Sequence, residues 1–128
     1  MKMMRAFLLV AALTGCATLP AGSVSRDRQA LDQELAALNA GPPRSCISGT
    51  DRNLVIGDEQ TVVQREGPTT WVNRLATACP GLRPINTLVV ERYGSQLCRG
   101  DRIRSLEPGS SIPGPICVLG DFTPYTRR

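Results

Sequence analysis

Gln60-Thr61-Val62-Val63-Gln64-Arg65-Glu66-Gly67-Pro68-Thr69-Thr70-Trp71-Val72-Asn73-Arg74-Leu75 holds two runs rich in β-branched residues, split by a Gly-Pro pair. Val, Thr and Trp suit a pleated, half-buried surface, and Gly-Pro punctuates it. The stretch therefore predicts two antiparallel strands, over 60–65 and 69–75, joined by a tight turn. Alternation puts Trp71, Asn73 and Leu75 on one face of the second strand and Thr70, Val72 and Arg74 on the other. The ring of Trp71 is expected to face the core. Asn73, polar on that same face, is expected to be satisfied by backbone hydrogen bonds at a strand end.

Working outward, Asn53 to Ile56 reads as a strand, and Gly57-Asp58 as the turn that makes the first three strands a meander. Further candidates follow near Ile85 to Arg92, Asp101 to Leu106 and Ile116 to Phe122. In the fifth, Arg102 and Arg104 share a face with Leu106, so its apolar end is expected to bend or to lie at an edge. The fold class is mainly β: a small antiparallel sheet or partly open barrel over 44–125, stapled by two disulfides and preceded by one helix.

The staples come from Cys46, Cys79, Cys98 and Cys117, an even number in a chain that begins with an export signal. Four cysteines allow three connectivities. Cys79 with Cys98 and Cys46 with Cys117 is favoured, because the second bridge would join the first and last strands. A zinc site is disfavoured, since no two of these cysteines lie two to four residues apart as zinc ligands usually do. The few aromatics, Trp71, Tyr93, Phe122 and Tyr125, leave a thin core that such cross-links would support.

Upstream, Leu31, Leu35 and Leu38 recur at helical spacing after Ser25, a residue suited to capping, and predict a helix over 26–40 that Gly41-Pro42-Pro43 ends. Residues 16–25, small and polar with Pro20 and Gly22, read as a flexible tether. Before them, Lys2 and Arg5 precede the apolar run Ala6 to Leu13, too short to span a bilayer and consistent with a secretory signal over 1–15. Leu13-Thr14-Gly15-Cys16 resembles the lipobox of bacterial lipoproteins. The resemblance implies lipidation of Cys16, cleavage ahead of it, and attachment to the membrane through several acyl chains. The residue after the cysteine is Ala17 and not aspartate, which by the Gram-negative sorting rule implies the outer membrane, facing the periplasm.

The strings around the other cysteines resemble a family of small proteobacterial lipoproteins and exported proteins, a domain of unknown function (DUF6491). They are Cys46-Ile47, the Asp58 to Val63 strand opening, Trp71-x-Asn73-x-Leu75, Cys79-Pro80-Gly81-Leu82, Leu97-Cys98-Arg99-Gly100-Asp101-x-Ile103 and Cys117-x-Leu119-Gly120-x-Phe122. The resemblance implies an exported, disulfide-bonded, mostly β module and supplies no activity. Glu66-Gly67-Pro68 and the stretch Pro108 to Pro115 depart from the pattern.

The 128-residue chain contains no histidine, and its one lysine, Lys2, belongs to the leader, so no unperturbed side chain of the exported part titrates near neutral pH. Removing Lys2 and Arg5 also takes two charges from the formal +4. Asp58 and Glu59 are adjacent on a strand end, point to opposite faces, and read as a solvated turn. The serines have no histidine or lysine to activate them. No catalytic residue, metal or cofactor is expected. Arg92, Arg99, Arg102 and Arg104 form a possible basic face for an anionic lipid or an envelope protein, interrupted by Asp101 and Glu107. Nucleic acid is not expected as a partner. The chain therefore reads as a non-enzymatic envelope lipoprotein that binds or supports something. The alternative is an inhibitor of an envelope lysozyme or protease, with Pro108 to Pro115 as its inserting loop.

Overall fold

In the computed structural model, which describes residues 25–48 and 54–128, helix α1 (Arg26–Ala36) leads into ten strands. These are β1 (Leu38–Ala40), β2 (Cys46–Ser48), β3 (Leu54–Asp58), β4 (Thr61–Glu66), β5 (Thr69–Arg74), β6 (Thr87–Glu91), β7 (Gln96–Cys98), β8 (Arg102–Leu106), β9 (Cys117–Val118) and β10 (Phe122–Arg127). They form three antiparallel sheets, β1-β10-β5-β4-β3, β2-β7 and β6-β8-β9, none of which closes into a barrel. The expected meander is β3-β4-β5, its second turn made by Gly67 at φ 55°, a backbone region that costs other residues a steric penalty.

Both faces of the five-stranded sheet are covered. On one, Leu31 and Leu35 of α1 pack on Val63 and Val72, with Leu38 and Tyr125 beside them. On the other, Leu54, Ile56, Val62 and Phe122 meet Ile47 and Leu97 of the two-stranded sheet and Ile103 of the three-stranded one. Trp71 lies on this second face, as alternation requires, and packs against the core while part of its ring stays accessible. The guanidinium of Arg44 sits 5.7 Å from the ring centroid. Asn73 is fully buried and exchanges two hydrogen bonds with Gly120: its amide donates to the Gly120 carbonyl (2.8 Å) and its Oδ1 accepts from the Gly120 amide (2.9 Å).

Four expectations about strands, helix and bridges need correction. The disulfides join Cys46 to Cys98 and Cys79 to Cys117, not Cys79 to Cys98 and Cys46 to Cys117. The cause is β7, a strand too short to show a pattern of its own. It pairs with β2 so that Cys46 and Cys98 stand directly opposite, Cα atoms 4.0 Å apart. The neighbouring pair Ser45 and Arg99 carries a ladder hydrogen bond (2.6 Å), leaving Cys46 and Cys98 at the closer, non-hydrogen-bonded position. Second, α1 ends at Ala36, because Leu38–Ala40 pairs with β10 as an edge strand. Third, the anticipated strand at 116–122 splits: Cys117–Val118 pairs with β8, while β10 starts at Phe122 and crosses to the large sheet. Fourth, β8 is the centre of its sheet and not an edge; Ile103 and Ser105 face inward, which leaves Arg102 and Arg104 on the outer face.

Candidate functional site

The N-terminal end of α1 faces the buried carboxylate of Asp58 and the half-buried one of Glu59. Gly57 creates a bulge in β3: Ile56 opposes Val62, but Asp58 opposes Thr61. The extra residue swings Asp58 from the core face of the sheet to the helix face. There it is wholly buried, so the expected solvated turn is corrected. Its Oδ1 accepts from the Gln60 amide (2.7 Å), while Oδ2 has no hydrogen-bond partner and lies 4.0 Å from Nε of Arg28. A β-carbon on Gly57 would sit 3.0 Å from a Leu31 methyl, so the helix packs tightly over the bulge.

Glu59 takes a different part. The Ser25 hydroxyl donates to its carboxylate (2.7 Å) and accepts the Arg28 amide as the helix cap (3.2 Å). That bond above all, aided by the residue's own amide and by Arg28 and opposed by partial burial, holds the Glu59 carboxyl below its ordinary range. The Glu59 carbonyl accepts from the Cys79 amide (2.9 Å), and the Gln60 side chain donates to the Leu75 carbonyl (2.7 Å). The start of the helix is thus tied to the segment that carries the second disulfide.

Two shallow grooves flank that segment and share Ala78 and Pro80. The first, about 450 Å³, runs from Ser25, Asp27 and Glu59 to Arg83. The second, about 310 Å³, runs from Leu75 to Ile116 and Val118, and none of its lining residues is charged. Ile116 and Val118 are 46% and 54% exposed. Val118 opposes Arg102 in the ladder, and Arg102 opposes Glu91 on its other side. The second groove therefore opens onto the outer face of β6-β8-β9.

The four arginines singled out from the sequence are distributed as follows. Arg102 and Arg104 share the outer face of β8, Arg104 paired with Glu91 at 3.5 Å. Arg99 lies in the tight turn after β7 and pairs with Asp121 at 3.4 Å. Arg92 follows the last residue of β6 and is half-buried. Asp101, which interrupts the run, is buried and accepts the Cys98 amide (2.8 Å), bracing the turn. Cys16, the signal segment and the tether up to residue 24 lie outside the described residues, while Ser25, expected as the end of the tether, caps the helix.

The stretch Pro108 to Pro115 is a loop fastened at both ends. The Ser110 amide donates to the Glu107 carbonyl, the Gly114 amide to the Ser105 carbonyl (2.7 Å), and Cys117 is bridged to Cys79. Ile112 between these ties is 79% exposed. Sequence reading missed Ile112, Ile116 and Val118, whose only signal is a long run without charge, and missed the burial of Asp58, for which Gly57 inside a strand was the available cue.

Among the described residues no group of three His, Cys, Asp or Glu side chains is placed to hold a metal ion, and no helix is long and apolar enough to cross a membrane. No family model matches the chain, and no curated protein or solved structure is significantly similar to it.

Proposed function

We propose that the chain is an exported, lipid-anchored protein of the bacterial envelope, held in the outer membrane facing the periplasm, that works by binding and not by catalysis. The observation that carries the reading is the partition of the cysteines. Cys46, Cys79, Cys98 and Cys117 are used in pairs, as suits an oxidising compartment, and Cys16 alone stands at the end of a short apolar leader. The absence of histidine and the engagement of Asp58 and Glu59 in fixing the helix favour a binding role. The resemblance to the family of exported proteins of unknown function agrees with it. The test is expression of the full chain in a Gram-negative host with labelled palmitate and density separation of the membranes. Label in the outer-membrane fraction, lost in Cys16→Ala, is the expected result; label that survives the substitution would refute it.

A second reading is favoured by one feature. Ile112 projects from a loop clamped on both sides, the arrangement an inhibitor needs to enter an enzyme cleft without losing entropy. Inhibition of envelope proteases or lysozymes that disappears in Ile112→Asp would support it, and no inhibition across such a panel would dismiss it.

A further inference from the structure

Three of the exposed large hydrophobic side chains among the described residues, Ile112, Ile116 and Val118, fall within Ser110 to Gly120, a stretch without a single charge. The Cys79–Cys117 bridge joins it to Leu75 to Leu82, also uncharged. Ile116 and Val118 share one uncharged groove with Leu75 and Pro80, and an exposed apolar surface that is contiguous in this way suits an interaction site. At its borders Arg83 follows one uncharged stretch, Asp121 follows the other and is paired with Arg99 at 3.4 Å, and Arg102 stands beside Val118 with Arg104 two residues on. Glu91, paired with Arg104 at 3.5 Å and cross-strand from Arg102, sets one carboxylate against two guanidiniums, which leaves that sheet face with a surplus positive charge.

The position of the patch relative to Ser25 narrows what covers it. Ser25 bonds Glu59, Glu59 bonds the backbone of Cys79, and Cys79 is bridged to Cys117 between Ile116 and Val118. The N-terminal end of the described chain thus leaves the domain at the same end as the apolar patch. Eight residues lie between Cys16 and Ser25, a reach of at most about 30 Å when fully extended. A lipid on Cys16 would keep Ser25, and with it this end of the domain, within that distance of the bilayer.

We infer that the outer face bearing Ile116, Val118 and Arg102 is the surface by which the domain rests on an anionic phospholipid bilayer. Aliphatic side chains enter the headgroup boundary and the surplus arginine meets lipid phosphate. The inference rests on lipidation at Cys16 and deepens the proposed function by naming the side of the molecule that faces the membrane. An envelope protein seated on the same face is the competing occupant.

The test uses the full acylated chain in vesicles of phosphatidylglycerol and brominated phosphatidylcholine. A tryptophan is placed at Ile116, at Val118 in a second variant, and at Thr126 as the distal control, with Trp71 as the background in all three. Emission from I116W and V118W is expected to shift to the blue and to be quenched by the brominated chains, while T126W stays unquenched. Adding R102E to I116W should reduce the quenching in anionic vesicles and leave it unchanged in purely zwitterionic ones. Absence of quenching at both Ile116 and Val118, or equal quenching at Thr126, would overturn the inference, and a face reserved for another protein would give the first of these. Intact mass reports acylation and both disulfides in each variant. A chain without acyl groups refutes the anchor, and quenching of I116W on added vesicles then decides the face separately.

Discussion

Asn73 shows how much one side chain holds in a domain with few aromatics. It bridges β5 to the backbone of Gly120 by two hydrogen bonds with no exposure to water. Asn73→Ala strands both Gly120 groups and should lower stability by about 1–3 kcal/mol in urea unfolding. Asn73→Asp should be no better, because a carboxylate accepts the Gly120 amide but faces the Gly120 carbonyl without a proton to offer. Glu59 makes a prediction in pH. Its folded carboxyl titrates below the ordinary 4.5, so its bond to Ser25 stabilises the fold above that value and the contribution is lost as pH falls through the lowered one. Ser25→Ala should therefore flatten the acid limb of a stability-against-pH curve, and an unchanged limb would contradict the assignment.

Helix α1 is attached by a narrow apolar seam and a ring of charge. Leu31 and Leu35 are its buried residues, while Arg74–Asp32 and Arg65–Glu34, both 2.9 Å and exposed, tie it to the sheet. Exposed pairs of this kind contribute roughly 0.2–1 kcal/mol each, so the leucines decide whether the helix docks. Leu31→Ala should cost about 2–4 kcal/mol. Gly57→Ala, whose methyl would lie 3.0 Å from Leu31 and 3.1 Å from Val63, should cost about 1–3 kcal/mol. In the double variant the truncated leucine makes room for the new methyl, so the combined loss is expected to be smaller than the sum; strict additivity in chemical denaturation would show that the bulge and the helix do not touch.

The molecule as a whole depends on cross-links closing long loops. Cys46–Cys98 spans 52 residues and Cys79–Cys117 spans 38, which in the chain-entropy model corresponds to at most about 4 kcal/mol for each bridge. That is comparable with the net stability of a small domain. Replacing either pair by alanine should cut the unfolding midpoint sharply, and reducing both should unfold the domain at physiological temperature. Non-reducing peptide mapping should recover a Cys46 peptide linked to a Cys98 peptide; Cys46 linked to Cys117 would contradict the sheet pairing.

Local chemistry made the meander, the capped helix and the presence of two bridges readable, because β-branched runs, Gly-Pro, a Ser cap and an even cysteine count act over a few residues. It also marked Asn73 as a residue the backbone would satisfy. Which cysteine meets which, that Asp58 is drawn beneath a helix, and that Ile116, Val118 and Arg102 share a face at the end where Ser25 leaves the domain were decided by tertiary structure. The reason is register: a three-residue strand at Gln96–Cys98 and a one-residue bulge at Gly57 have almost no pattern of their own, and they take their positions only when the rest of the fold supplies the partner.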